Sequence, residues 1–310
     1  RNIMPDAKTI IVAVYPYLPF QQTVSQGYGR CSAHYLAYPK GKEAMKQLGV
    51  VLTDAGFEIK TDPPIPVKHL AYQSGLGKYG KNSLIYHPEF GSFITLHTIL
   101  TNAELELDDM DSKEITDCGS CRKCMDACPT QAIADDGIIV VDKCLRYHML
   151  SSETMPIHMR EKMGNRILGC DDCQLVCPKN KKIIKQLKPL EKIQDIIDIK
   201  EILIHAKTGL KKHMSSIAEF VGYNYARPQK IITMAVIAAG NSNDSSYLPL
   251  LADTMQYPNS TIRAYSAWAV GKLGGDEAKN LLLTALGRER DLNVQEEIQL
   301  ALLNTEECCS

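Results

Sequence analysis

Residues 118–129 read CGSCRKCMDACP, and this short stretch decides how the chain around it folds. Its spacing is C-x2-C-x2-C-x3-C-P, which is typical of bacterial ferredoxins. Three thiolates at two-residue gaps can surround one cube of iron and sulfide on a tight loop, whereas the fourth points to a different cluster. Structural zinc sites normally use two separated pairs of cysteines instead. The stretch therefore predicts a 4Fe–4S cluster.

A second cysteine set lies at residues 170–178, which read CDDCQLVCP, or C-x2-C-x3-C-P. It has one cysteine fewer than the first set, and Cys144, between the two sets, supplies the missing thiolate. The eight cysteines match two 4Fe–4S clusters in a ferredoxin-like module, and we expect the ligands to cross between the sets. The first cluster is then assigned to Cys118, Cys121, Cys124 and Cys177, and the second to Cys128, Cys144, Cys170 and Cys173.

Composition places this module in an ordinary globular protein. The chain has 310 residues, a net charge of −1 and 45% hydrophobic residues, which suits about two domains. The charge excludes a uniformly basic nucleic-acid coat, although not a local basic patch. No apolar run approaches the ~18 residues of a membrane span, and no signal-peptide pattern follows Arg1, so we expect a cytoplasmic protein. A disulfide framework is the alternative use of the cysteines, but it is typical of small secreted domains.

The part before the cysteines, residues 1–105, reads as an α/β unit. Residues 9–14, 83–86 and 92–101 are strand-like, and residues 42–55 have helical periodicity. Between the helix and the later strands, residues 74–82 read SGLGKYGKN, and three glycines in six residues allow a backbone to approach a ligand closely. A plain tight loop is the more common use of such a stretch.

The part that follows the ferredoxin-like module at 106–180 is predicted to be a helical tail, residues 181–310. AVIAAGN at 235–241 recurs 31 residues later as SAWAVGK, a period that favours short HEAT-like repeats. Residues 179–230 carry 12 Lys or Arg against five Asp or Glu. A solvated helical face explains most such runs, but a stripe this basic beside a redox centre is also a candidate contact for a phosphate backbone.

In this order the segments resemble the epoxyqueuosine reductase family, cobalamin-dependent enzymes that complete queuosine in transfer RNA. The resemblance rests on SGLGKYGKN at 74–82, on the cysteine module with GCDDCQ at 169–174, and on the HEAT-like tail with AGN at 239–241. It covers nearly the whole chain. YHPEFG at 86–91 is also similar to the reductive dehalogenases, which are related to that family.

The resemblance implies a reductase with a base-off cobalamin between the α/β domain and the clusters. It implies electrons that arrive singly and reduce the cobalt, which then engages the epoxide carbocycle of the modified base, and an acid that protonates the departing oxygen. It further implies an external electron donor, and transfer RNA bound near its anticodon by the basic stretch and the repeats. The residues we expect to bind cobalamin lie in the glycine-rich loop, and they are Gly75, Gly77, Gly80, Lys81 and Asn82.

The catalytic acid falls at an altered position. The family places an aspartate where this chain has Thr61, and Asp62 is one residue away. We expect Asp62 to be the proton donor, with a pKa raised by burial beside an apolar corrin. The alternative is that Asp62 only opens the turn before the next proline. The family's Asp-Tyr-His segment is replaced by YPKGKE at 38–43, and its Arg-Asn by Thr233-Met234, so the substrate pocket differs or the chain is a divergent paralogue.

Two other functions stay open at this point. A related cobalamin and iron–sulfur reductase of a small molecule, as in dehalogenases, is favoured by Phe90-Gly91 and by the altered acid position. A non-enzymatic electron-transfer protein, whose repeats dock a partner, requires only the clusters.

Overall fold

The structure is a computed structural model, and it describes residues 3–21, 27–106, 117–189 and 196–307. Cys308 and Cys309, and residues 190–195 of the basic stretch, lie outside the described residues. The chain divides into two compact units, each assembled from separate stretches. The first comprises Arg1–Phe20, Ala33–Val141 and Asp171–Lys188, and the second comprises Gln21–Ser32, Asp142–Cys170 and Pro189–Ser310. The predicted boundaries at residues 105 and 180 stay predictions.

The described residues form strands and helices of very unequal length. The strands are β1 (Thr9–Pro16), β2 (Arg30–Cys31), β3 (Ile59–Thr61), β4 (Lys78–Tyr79), β5 (Ile85–Tyr86), β6 (Ile94–Thr101) and β7 (Arg166–Leu168). The α-helices span His34–Asp54, Val67–Gln73, Lys123–Asp126, Leu145–Leu150, Ile157–Met163, Asp172–Leu175, Lys181–Ile184, Ile199–Lys207, Leu210–Val221, Pro228–Gly240, Leu248–Thr254, Ser260–Leu273, Gly275–Leu286 and Leu292–Glu307. None of these helices has both the length and the apolar character that crossing a membrane requires.

The first unit is built on an antiparallel sheet with the strand order β1-β6-β3. β1 pairs with β6 along its whole length, from Thr9 opposite Thr101 to Pro16 opposite Ile94, and β3 pairs with the other edge of β6. The strands predicted at 9–14 and 92–101 are confirmed, with slightly shifted ends. Among the described residues, the three-stranded sheet of the predicted α/β unit is antiparallel, whereas β2 and β7 of the second unit pair in parallel.

The strand predicted at 83–86 is wrong in its first half. Ser83 has a φ of 55°, in the left-handed region, so it belongs to a turn, and only Ile85–Tyr86 forms the strand β5. β5 pairs with β4 in an antiparallel hairpin that contains the end of the glycine-rich loop. The hairpin therefore fixes where the end of that loop lies.

The first helix begins at His34, well before the start that the periodicity predicts at residue 42, and it contains Pro39. Proline removes one backbone donor and usually ends a helix, which is why the predicted helix begins after it. Gly41 lets the helix lie directly on β6. A Cβ atom at Gly41 would lie 2.3 Å from Nε2 of His97 and 2.9 Å from Oγ1 of Thr95. The helix thereby closes over His97.

The second unit contains the predicted helical repeats. The helix that starts at Pro228 packs against the one that starts at Ser260, which in turn packs against the last helix, Leu292–Glu307. Glycines set the spacing between these helices. A Cβ atom at Gly240 would lie 2.8 Å from the Cα of Ala269, and one at Gly271 would lie 2.7 Å from the Cβ of Ala301.

A buried arginine joins the middle of the chain to the repeats. Arg160 is 2% exposed, and its two terminal nitrogens donate to the carboxylate of Glu297 at 2.6 and 3.1 Å. Its Nε donates to the Met155 carbonyl at 2.9 Å, and its guanidinium lies 4.3 Å from the ring centroid of Tyr265. Every polar edge of the guanidinium is thus directed at a partner within the second unit.

Glu297→Ala would leave Arg160 buried without its counter-charge, so we expect the free energy of unfolding of the second unit to fall by about 3–5 kcal/mol. Trp268, the chain's single tryptophan, has its ring 5.7 Å from the guanidinium, so its fluorescence during urea unfolding reports this change. The control Asp253→Ala removes an exposed 2.8 Å pair with Lys207 and should cost about 0–1 kcal/mol. Equal losses in the two variants would show that the buried pair contributes no more than a surface pair.

Candidate functional site

The two cysteine sets meet through two very short helices in the first unit. Lys123–Asp126 packs against Asp172–Leu175. This packing brings Cys124 close to two other predicted ligands. Burial raises the pKa of the Cys124 thiol, and the neighbouring charges of Cys177 and Cys118 raise it further. Three of the four cysteines assigned to the first cluster, from both sets, therefore lie near one another.

The fourth predicted ligand of that cluster lies on the same loop. The backbone N–H of Cys121 donates to the Cys118 carbonyl at 3.0 Å, which forms a tight turn between the two thiols. The eight predicted ligands are all partly exposed, and none of them is in a disulfide. Among the described residues, no three His, Cys, Asp or Glu side chains converge on the position of a single metal ion.

The cysteines assigned to the second cluster are placed as follows. Sγ of Cys128 accepts a hydrogen bond from the Ala132 N–H at 3.3 Å, and such bonds stabilise the negative charge of a cluster thiolate. Cys173 lies in the short helix Asp172–Leu175. Cys144 precedes the helix Leu145–Leu150, and Cys170 follows β7, and both belong to the second unit.

A buried polar network holds the second cysteine set to the turn that follows the hairpin. The Ser92 hydroxyl donates to Oε1 of Gln174 at 3.0 Å, and Nδ2 of Asn180 donates to the Ser92 hydroxyl at 2.9 Å and to the Gln174 carbonyl at 2.8 Å. Gly91 lies against Asn180, where a Cβ atom would come within 2.1 Å of its side-chain oxygen. This network places residues 91–93, GSF, beside the second cysteine set. Their spacing alone predicts no role for them.

The glycines predicted to bind cobalamin have a local reason to be glycine. Gly75 has a φ of 73°. A Cβ atom at Gly77 would lie 2.6 Å from the Tyr86 carbonyl, and one at Gly80 would lie 2.5 Å from the Tyr86 ring. The loop therefore needs glycine in order to pack against its own hairpin, whether or not a ligand approaches it.

The two polar residues predicted for cobalamin have their side chains committed elsewhere. Nζ of Lys81 donates to the Gly119 carbonyl at 2.7 Å and to the Cys121 carbonyl at 3.2 Å, on the first cysteine loop. Nδ2 of Asn82 donates to the Tyr86 hydroxyl at 3.0 Å. The loop thus connects to the cysteine module through contacts that no sequence spacing indicates.

The sequence offers Tyr86 only as one of several tyrosines that could donate a proton, and the structure places it beside Cys177. It is buried, and its hydroxyl hydrogen-bonds to Cys177, a predicted ligand of the first cluster. Burial raises the pKa of Tyr86 far above its ordinary value, and the hydrogen bond to Cys177 adds to the shift. The hydroxyl therefore stays protonated near neutral pH, with hydrogen bonds to Cys177 and to Ser92.

Asp62 forms a second polar centre with His97. Its Oδ1 accepts from the Thr98 N–H at 3.0 Å, and its Oδ2 lies 3.2 Å from Nδ1 of His97. A carboxylate can only accept, so Nδ1 of the imidazole carries the proton, and Nε2 lies 2.9 Å from the Thr95 hydroxyl. Asp62 has a φ of 42°, so the turn holds it in a rarely populated conformation.

The expected pKa of Asp62 is wrong in direction for the chain alone. Burial raises it, but the hydrogen bonds from His97 and from the Thr98 N–H lower it, as do the charges of His97 and Lys42, and the net result is a lowered pKa. The carboxyl is therefore charged near neutral pH. The sequence indicates burial but gives no sign of His97, which lies 35 residues away in the chain.

The structure shows where the other residues that depart from the family pattern lie. Thr61 is the exposed last residue of β3. The ring of Tyr38 lies 5.0 Å from the His97 ring, so the altered segment at 38–43 borders the Asp62–His97 pair. Thr233 and Met234 are buried inside a repeat helix, so they fill a core.

Two parts of the chain match known domain families. Residues 117–180 match the family described as a 4Fe-4S double cluster binding domain, and residues 226–303 match HEAT repeats. The first match contains all eight predicted cluster cysteines. The second confirms the repeats predicted from the 31-residue period.

Curated relatives share one name. The chain is 31% identical over 286 residues to the epoxyqueuosine reductase of Lactococcus garvieae, a match that covers 87% of this chain and 80% of that protein. It is 34% identical over 232 residues to the epoxyqueuosine reductase of Bacillus cereus, with 74% of this chain and 60% of that protein covered. The chain spans about 60% of the length of the Bacillus relatives it matches.

Solved structures of epoxyqueuosine reductases are similar in fold to nearly the whole of this chain. An epoxyqueuosine reductase bound to an epoxyqueuosine-modified tRNA-Tyr stem loop has a TM-score of 0.81 and 27% identity, and the match covers 98% of this chain and 84% of that one. The Bacillus subtilis enzyme with its catalytic aspartate loop swung out of the active site has a TM-score of 0.78 and 27% identity, with 97% and 83% covered.

The proximity of Cys118, Cys124 and Cys177 leads to a test of the ligand assignment. Cys124→Ser should damage one cluster and Cys173→Ser the other, so each variant should retain about half of the wild-type iron. The control Cys31→Ala, at a buried cysteine outside both sets, should retain all of it. Full iron content in either serine variant would show that the assignment is wrong.

Proposed function

The chain belongs to the epoxyqueuosine reductase family, and we propose from this that it is an oxidoreductase that converts epoxyqueuosine to queuosine in transfer RNA. The reaction takes two electrons and two protons, because the epoxide oxygen leaves as water and an alkene remains. The observation that carries the proposal is the match to the double cluster domain within a fold that follows epoxyqueuosine reductases over nearly its full length.

The clusters supply electrons one at a time, and we assign their ligands as the cysteine spacing predicts. Cys118, Cys121, Cys124 and Cys177 hold the first cluster, and the neighbouring positions of three of these thiols support this choice. Cys128, Cys144, Cys170 and Cys173 hold the second. An external electron donor reduces the clusters.

Cobalamin is proposed as the second cofactor on the family resemblance alone. The residues predicted to hold it do not fit that role through their side chains. Gly77 and Gly80 are required by the hairpin, Lys81 binds the cysteine loop, and Asn82 binds Tyr86. We therefore assign no step to residues of this loop acting on cobalamin.

Asp62 remains the proposed proton donor, now as one member of a pair. It is the accessible member, with 17% of its side chain exposed, whereas the His97 side chain is fully buried. Because the carboxyl is charged in the chain alone, Asp62 must first take up a proton from solvent through its exposed side, and it then delivers that proton to the departing oxygen. The hydrogen bonds from Nδ1 of His97 and from the Thr98 N–H then stabilise the carboxylate that remains.

Transfer RNA is the proposed partner, because a structural relative holds a modified tRNA stem loop. The basic stretch supplies charge for such a contact. Lys181, Lys182, Lys211 and Lys212 are all exposed, on two different helices. Phosphate contacts of this kind give an affinity that falls steeply with salt.

Reduction of a small molecule is the second candidate. It is favoured by the one-residue displacement of the acid from Thr61 to Asp62 and by the altered segment at 38–43, which borders that acid.

The proposal is tested by anaerobic turnover on transfer RNA that carries epoxyqueuosine, with the nucleosides measured by mass spectrometry. The reconstituted chain, given cobalamin and a chemical reductant, should convert epoxyqueuosine to queuosine. Cys124→Ser should abolish conversion by interrupting electron flow. Intact clusters and bound cobalamin without conversion would overturn the tRNA function and favour the small-molecule reductase.

Asp62→Asn keeps the shape of the side chain but cannot deliver a proton, so turnover should fall by about 10²-fold or more. Iron content should not change, because Asp62 contacts β6 residues rather than the cysteines. Thr61→Val is the matched control, and its turnover should stay near that of the wild type. Normal turnover of Asp62→Asn, or a comparable loss in Thr61→Val, would place the acid elsewhere.

A further inference from the structure

Two side chains of the hairpin loop contact the first cysteine cluster from different sides. Lys81 brings its ammonium group to the Gly119 and Cys121 carbonyls at 2.7 and 3.2 Å. Its positive charge therefore lies within one residue of two ligand positions, Cys118 and Cys121. Lys81 is only partly exposed, so water screens this charge incompletely.

Tyr86 contacts the thiol that the second cysteine set contributes. Its hydroxyl hydrogen-bonds to Cys177, while Nδ2 of Asn82 donates to the same hydroxyl oxygen at 3.0 Å. The tyrosine is 3% exposed and Asn82 is 4% exposed, so the chain of bonds is shielded from water. The same hydroxyl also hydrogen-bonds to Ser92, and we take Cys177 as the acceptor of its proton.

Both contacts favour the reduced form of a cluster. Reduction adds one negative charge, which spreads over iron, sulfide and the cysteine sulfurs. A nearby cation and a hydrogen bond to a sulfur both stabilise that added charge more than they stabilise the oxidised form. The reduction potential rises as a result.

We propose that Lys81 and Tyr86 are positioning residues that raise the reduction potential of one particular cluster, the one assigned to Cys118, Cys121, Cys124 and Cys177. The proposal rests on the ligand assignment under Proposed function. It gives the glycine-rich loop a role toward the iron–sulfur centre, in addition to any ligand that its exposed face binds. It does not set which of the two clusters is reduced first, since the second also receives a hydrogen bond at one of its sulfurs, that of Cys128.

The test is a redox titration of the full reconstituted chain, followed by EPR, with dithionite as the reductant and no substrate present. Tyr86→Phe and Lys81→Gln should each shift one cluster to lower potential. At a fixed solution potential, the ratio of reduced to oxidised cluster should fall by about tenfold, which is about 59 mV for one electron. The same EPR signal should shift in both variants, and the second signal should stay in place.

Matched controls come from the same hairpin. Tyr79→Phe removes a hydroxyl from the strand opposite β5, where Tyr79 is exposed and lies beside Tyr72. Lys78→Gln removes a charge from the same strand, β4. Both controls should change the ratio by less than about twofold, and Lys81→Arg, which keeps the charge, should restore most of the wild-type value.

Several results would overturn the proposal. The first is an unchanged midpoint potential of the cluster in both Tyr86→Phe and Lys81→Gln. The second is a shift of different clusters by the two variants, since the two contacts would then not act on one centre. The third is loss of about half of the iron in Tyr86→Phe, since the bond would then hold the cluster rather than tune it. Failure on epoxyqueuosine would leave these titrations unaffected, so the two proposals fail separately.

Discussion

Two helices of a single turn each, Lys123–Asp126 and Asp172–Leu175, pack together, and the first unit is arranged around that packing. Helices this short are not stable alone. They are held by the polar network of Ser92, Gln174 and Asn180 on one side and by the hairpin loop on another. A cluster bound by cysteines from both sets would lock the same packing covalently. Fold and cofactor then depend on each other, as in other metal-stabilised modules.

In the Asp62–His97 pair, hydrogen-bond partners outweigh the effect of burial on the pKa of the carboxyl. Burial alone would neutralise the carboxyl, but a backbone N–H and an imidazole N–H hold it charged. The sequence places this acidic group one residue from Thr61, where the family resemblance implies an aspartate. As a proton donor, Asp62 would therefore have to be protonated from solvent before each turnover, with His97 stabilising the carboxylate that is left.

Sequence reasoning predicted the parts of the site in which the chemistry of a ligand restricts the spacing of the residues. It missed the parts that only tertiary contacts establish. Four cysteines in C-x2-C-x2-C-x3-C-P have few other uses, so the cluster domain was predictable, and a repeated alanine-rich helix indicated the HEAT repeats. The contact of Tyr86 with Cys177 joins residues 91 positions apart, and no local pattern marks it. Glycines at 77 and 80 suggested a ligand, yet the hairpin itself requires them.

Above all, we expect eight cysteines of this chain to hold two 4Fe–4S clusters, with ligands crossing between the two sets. The most direct measurement is the iron and acid-labile sulfide content of the anaerobically reconstituted wild-type chain, together with EPR of the reduced protein. Two clusters predict about eight iron and about eight sulfide atoms per chain, and two interacting paramagnetic centres. About four iron atoms per chain with a single isolated signal, or stoichiometric zinc without sulfide, would contradict a double cluster.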